Sequence, residues 1–202
     1  MSASALAEKS SDRPDPRIER SRAKLLAAAT DLLVERGPAA LTVDNVAERS
    51  GVAKSTLYRH WPSRTALMID VLRANMPCTP PIDPTAGFEQ CLRNYMRAIA
   101  DSMADPEWAR IMPALFALKH HLPEIDQLTV DDRDEKHAQL TELLERGVAE
   151  GLIPDGLDVH SVATCLFGPI LMCALLGESQ TAHAAGDFAL ERFLDSYRPD
   201  GG

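Results

Sequence analysis

Ala47, Gly51 and Leu57 stand four and six residues apart in a stretch bracketed by helix breakers. This spacing restricts the fold more than any other feature of the chain. Gly37-Pro38 ends one helical pattern, Gly51 interrupts a second and Pro62 stops a third. Each breaker either supplies a left-handed turn or removes a backbone donor. Thr42 is placed as an N-cap for a short helix carrying Val43, Val46 and Ala47 inward and ending near Ser50. Val52 and Leu57 then anchor another short helix beyond the Gly51 turn. A small residue at the crossing, a glycine in the turn and a leucine plug are what two tightly crossed helices require.

The rest of the chain reads as helical too. Sustained apolar/polar alternation and Asn-Gly or Asp-Gly hairpin signals are missing, so the predicted class is all-α. Ile18, Leu25, Ala29, Leu32 and Leu33 mark one face of a first helix starting at Arg17, and Ser63 caps a fourth carrying Leu67, Val71 and Leu72 inward. "NMPCTPPIDPTAG" then forms a soft boundary. Longer helices are expected over about 86–104, a shorter pair around 107–121, one ending near Gly151, then 158–177 and 187–197. Residues 1–16 read as a loose tail, 17–75 as a small head with its connecting helix, and 76–202 as the body.

Several classes of function are excluded by composition. The longest apolar run, "VATCLFGPILMCALLG", is shorter than the roughly 20 residues of a bilayer span and holds Gly168-Pro169, so it is expected to be a buried, kinked helix. No membrane association follows, and a cytoplasmic location is expected. Cys78, Cys91, Cys165 and Cys173 form no C-x-x-C pair and read as reduced packing residues. His120-His121 point in different directions on a helix, and no metal or cofactor is implied. Neither a nucleophile triad nor a glycine-rich phosphate loop stands out, which argues against an enzyme.

The formal charge of -9 conceals an asymmetry: residues 1–75 carry +3 and residues 76–202 carry -12. A basic end on an acidic body fits a polyanion contacted at one end only. Facing outward on the third helix are Lys54, Ser55, Thr56, Tyr58, Arg59 and His60, donors suited to phosphates and base edges.

From Arg22 to Leu72 the chain resembles the tetracycline-repressor (TetR) family. The likeness rests on the Gly37 stop, the Thr42 cap, Val46-Ala47, Ser50-Gly51-Val52 and "TLYRHWPSRTAL". It implies an N-terminal three-helix helix-turn-helix DNA-binding domain joined to a C-terminal helical bundle for ligand binding and dimerisation. By the same resemblance, Thr42 and Tyr58 clamp phosphate with help from His60, and Lys54, Ser55 and Thr56 read bases. Arg64 stands where lysine is usual and reaches backbone phosphate. Two departures stand out: Ala53 replaces a serine cap worth about 1 kcal/mol, and Trp61 replaces a phenylalanine plug.

In the body, Leu140, Leu143, Leu144 and Val148 form one stripe, and Val159, Val162, Ala163, Leu166 and Ile170 another. Gly147, Gly151 and Gly168 would allow close approach, so these helices are expected to meet their copies in a four-helix homodimer contact. Packing of both stripes within one chain is the alternative. Candidate pocket residues are Tyr95, Met96, Met103, Trp108, Met112, Phe116 and Met172, with His120, His121 and Arg110 as polar partners. The implied partners are a palindromic operator in double-stranded DNA and a small inducer, apolar or amphipathic, whose binding releases a repressor. The competing expectation is a helix-turn-helix protein without an inducer, acting architecturally or through a protein partner.

Overall fold

A computed structural model describes residues 16–198, and every regular element among them is helical. The tail expected over 1–16 lies outside the described residues except for Pro16, which opens α1 (Pro16–Arg36). The chain divides into two compact units between Val71 and Leu72. None of the described helices is long and apolar enough to cross a membrane.

The first unit holds α1, α2 (Val43–Ser50), α3 (Lys54–His60) and the start of α4 (Arg64–Asn75). Leu25, Ala29, Leu32 and Leu33 of α1 are buried as their periodicity predicts, but Ile18 lies before this packed segment and is exposed. Val46, Leu57 and Trp61 meet them in the core, together with Leu67 and Met68 of α4. Thr42 accepts a hydrogen bond from the Asn45 amide at 3.2 Å, capping α2. Gly51 has φ +67°, a left-handed conformation that a side chain would strain, and so turns α2 into α3.

In the second unit, α5 (Phe88–Ala104), α7 (Pro123–Ala149), α8 (Val159–Leu175) and α9 (Ala182–Asp195) surround a shared core. The pair of helices expected around 107–121 is instead the single α6 (Pro106–Lys119), which runs through Pro113. Likewise α8 continues through Gly168-Pro169 to Leu175. Gly87 offers α5 no side-chain cap, and Glu150 from the far end of α7 takes the role, accepting from the Phe88 amide at 3.0 Å. Arg146 donates to the Asp83 and Ala86 carbonyls at 2.7 Å, fixing the proline-rich segment before α5.

The two stripes expected at a dimer contact are consumed inside the chain. Leu140, Leu143, Leu144, Val162, Ala163, Leu166 and Ile170 are buried in the core, while Val148 and Val159 are half-buried at its margin. Gly147 does permit a close approach, but within the chain: a Cβ there would lie 2.9 Å from Ile153 and 3.0 Å from Phe88. Gly168 faces open space. The physical reason is geometrical: α7 and α8 both pack on α5, and these stripes are the faces they turn to that contact. What remains exposed is a different apolar row, Met172 and Leu176 at the end of α8 with Phe188 on α9.

Candidate nucleic-acid interface and ligand cavity

Most of the residues expected to contact DNA sit on α3, a helix anchored by one deep plug. Leu57 is buried, and the side chains around it turn outward: Lys54, Ser55, Tyr58 and Arg59 are exposed, Thr56 and His60 half-exposed. Tyr58 is 56% exposed, so its ring does not complete the small core and its hydroxyl is open to solvent. Thr42 is exposed at the start of α2 while its oxygen caps that helix. Ala53 leaves the first turn of α3 without a side-chain cap.

Two of the expected DNA contacts are partly committed elsewhere. Arg64 donates through Nε to the Leu41 carbonyl at 2.7 Å and through a terminal nitrogen to Pro38 at 2.5 Å, so it ties α4 to the turn before α2. His60 pairs with the Ser21 hydroxyl at 3.1 Å, and its ring lies 5.3 Å from that of Trp61.

Sequence reading missed two acids. Asp44 on α2 holds the Lys54 ammonium at 2.5 Å, and this bond and charge push the lysine above its ordinary pKa. Asp70 on α4 accepts from Arg22 at 2.6 Å and from the Trp61 indole at 2.8 Å, and the Arg22 guanidinium lies 5.5 Å from the Trp61 ring centre. One carboxylate therefore joins α1, the end of α3 and α4. The available signal was an aspartate inside "ALMIDVL", an otherwise apolar turn.

The second unit holds a cavity of about 300 Å³, at the lower end of the roughly 300–1,000 Å³ usual for small-molecule sites. Met103, Trp108, Met112 and Phe116 line it, joined by Ile99, Leu115, Phe167 and Leu171. Met76 and Pro77, the residues directly after α4, close one side. The other expected pocket residues lie elsewhere. Tyr95 and Met96 are buried in the core, because α5 turns them toward α7 and toward α8 and α9. His120 and His121 follow the end of α6 exposed to solvent, Arg110 is on the exposed side of that helix, and Met172 is exposed on α8. The Tyr95 hydroxyl donates to the Lys136 carbonyl at 3.0 Å, and burial, with the charges of Asp132 and Glu135, raises its pKa far above the phenol value.

Polar lining comes mostly from α7. Asp132, Arg133, Lys136 and His137 border the cavity, with Lys119 from α6. Lys136 is bonded to Asp132, Arg133 lies 3.3 Å from its neighbour Asp134, and Lys119 lies 3.8 Å from Asp126. His137 is held below the ordinary imidazole pKa by burial first, then by His160, whose ring stands edge-on 5.7 Å away, and by Arg133; Asp134 and Asp158 oppose the shift. The Trp108 indole N–H is buried and finds no acceptor among the described residues. No group of three or more His, Cys, Asp or Glu side chains arranged to hold a metal occurs among the described residues.

Comparison with known proteins agrees with this architecture. Residues 25–71 match the model of the bacterial regulatory proteins of the tetR family, and residues 82–192 match the tetracyclin repressor-like C-terminal domain. The HTH-type transcriptional regulator YdeS of Bacillus subtilis strain 168 is 28% identical over 166 residues, covering 82% of this chain and 84% of its own length. The HTH-type transcriptional repressor KstR2 of Mycobacterium tuberculosis strain H37Rv is 26% identical over 169 residues, 75% of this chain and 78% of that protein. A crystal structure of a proposed TetR-family regulator from Mesorhizobium loti superimposes with a TM-score of 0.73 at 19% identity, over 92% of this chain and all of that one. With both domain models matched in order along one helical chain, the protein belongs to the TetR family and is a non-enzymatic, DNA-binding transcriptional regulator.

Proposed function

We propose that the protein is a repressor that binds a palindromic operator as a homodimer and leaves it when a small molecule enters the α6–α7 cavity. The observation that carries the reading is the exposure of Lys54, Ser55, Tyr58 and Arg59 around the buried Leu57, a row of donors on a rigidly seated helix. Donors of this kind position a helix on phosphates and read base edges in the major groove. Thr42, Thr56 and His60 extend the row, and Arg64 serves it by fixing the turn before α2. Repression is favoured by the likeness to KstR2, a transcriptional repressor by name.

Homodimerisation is supported by the apolar row on α8 and α9. Phe188 is 69% exposed on α9, and Met172 and Leu176 are exposed on α8 and at its end, a cost that a second copy of the chain relieves by covering them. Two heads must then sit about one DNA turn apart, roughly 34–36 Å, to engage both half-sites. A cavity lined by methionine and aromatic side chains favours the ligand-released repressor over an inducer-free architectural protein. α4 is the natural lever, because the residues that follow it directly, Met76 and Pro77, line that cavity. A ligand shifts DNA affinity only by its difference in affinity for the two states.

Selection of genomic fragments with the purified protein, followed by footprinting, tests the reading. A protected palindrome with half-sites one turn apart supports it. Retention of DNA without preferred sequence, or protection of a single half-site, overturns it.

A further inference from the structure

We infer that the DNA interface extends beyond α3 to a cationic row on the first turns of α1, Arg17, Arg20 and Lys24, which grips the phosphate backbone of double-stranded DNA beside the segment that α3 meets. The inference rests on the reading of α3 as the DNA-facing helix and adds a second contact surface to it.

Helix geometry places the row. Residues three and four apart are neighbours on a helix surface, so Arg17, Arg20 and Lys24 line up on one face of α1, and all three are exposed. By the same spacing Ser21 adjoins both Arg17 and Lys24, and its hydroxyl lies 3.1 Å from Nε2 of His60, the last residue of α3. The end of α3 therefore abuts the row. Arg22 points away from it, to Asp70 of α4 at 2.6 Å. Seven and eleven residues beyond Lys24 on the same face stand Asp31 and Glu35, and both are taken by Arg49 of α2. Both α2 and the end of α3 thus meet the side of α1 that carries the row, and the acids on that side are already neutralised.

Charge commitments in the first unit point the same way. Arg22 is held by Asp70, Arg49 by Asp31 and Glu35, Lys54 by Asp44, and Arg64 by two carbonyls. Arg20 and Lys24, by contrast, meet no acid among the described residues. Nor does the row serve its own helix. Arg17 stands in the first turn of α1 and Arg20 just after it, where the helix dipole disfavours cations. Phosphates beside α3 supply the missing counter-charge, and such contacts fix a protein's register on the duplex without reading sequence. The row also precedes residue 25, where the match to the tetR-family model begins.

Fluorescence anisotropy of the full-length protein on a random-sequence duplex of about 30 base pairs, repeated over a range of salt concentrations, tests this. The double variant Arg20→Ala/Lys24→Ala should lower the slope of log K against log salt by about two, one for each phosphate released. Both residues are exposed, and thermal melts should match wild type. A partly unfolded variant would lose affinity by a constant factor at all salts, so the slope separates a lost contact from a lost fold. Arg36→Ala, at the far end of α1, removes a cation from outside the row and should leave the slope unchanged. A fall of less than one in the double variant overturns the inference, as does a fall of one or more in Arg36→Ala. Arg59→Ala measured in parallel tests the reading of α3 by itself. A fall there without one in the double variant means that the row alone has failed; no fall in either means that both readings have.

Discussion

The proposed division of α3 side chains between reading sequence and gripping the backbone is testable residue by residue. Lys54 is held by Asp44 in the free protein and faces outward at the front of the helix. Lys54→Ala should reduce discrimination between operator and unrelated duplex by about tenfold, within the roughly 1–3 kcal/mol of one base contact. Tyr58→Phe should instead weaken both duplexes by a similar factor, because a phosphate contact carries no sequence information. Fluorescence anisotropy on the two duplexes separates the cases, and equal discrimination by Lys54→Ala and wild type removes Lys54 from the base-reading set. His137 provides a pH test of a different kind. Its folded-state pKa is depressed, so below the ordinary value of about 6.5 the unfolded chain binds the proton first and stability falls with pH. His137→Gln should flatten the decline of Tm between about pH 7 and pH 5, as read by parallel thermal melts.

Among elements, α8 illustrates what a stripe of apolar residues does and does not reveal. Its helical run was legible from "VATCLFGPILMCALLG", but the expected burial holds for one face only, because the run's hydropathy does not say which face a core will cover. Leu166 and Ile170 fill the chain's own core, whereas Met172 and Leu176 remain outside it. Leu166→Ala should therefore cost about 2–5 kcal/mol of stability as a core cavity. Phe188→Glu should leave the melting of the protomer nearly unchanged but shift the species seen by light scattering from dimer to monomer; a dimer that survives Phe188→Glu places the contact elsewhere. The cavity shows the same limit. Met103, Trp108, Met112 and Phe116 follow helical spacing and could be found, while Lys136 and Arg133 lie in an acid-rich helix whose inward side only tertiary packing selects. The head was more legible because its constraints are local: a cap at Thr42, a left-handed Gly51 and the Leu57 plug all act within a few residues.

For the whole molecule, charge distribution governs the encounter with DNA. The +3 over residues 1–75 and the -12 over residues 76–202 favour phosphate contacts from the first unit, as proposed above. Operator affinity should fall steeply with salt, and Arg59→Ala should reduce the slope of log K against log salt by about one for each phosphate that its guanidinium neutralises. An unchanged slope would assign Arg59 to solvent. The residues at which the two compact units divide, Val71 and Leu72, are consecutive members of one helix. An α-helix ends only at the cost of leaving carbonyls and amides unpaired, so neither core can melt back through α4 without fraying backbone that belongs to the other. We expect one-step unfolding: differential scanning calorimetry should show a single transition whose calorimetric and van't Hoff enthalpies agree once subunit dissociation is accounted for. A chain able to shed its reading head while keeping its sensor folded would need a break in that helix, and Arg64–Asn75 contains neither glycine nor proline to provide one.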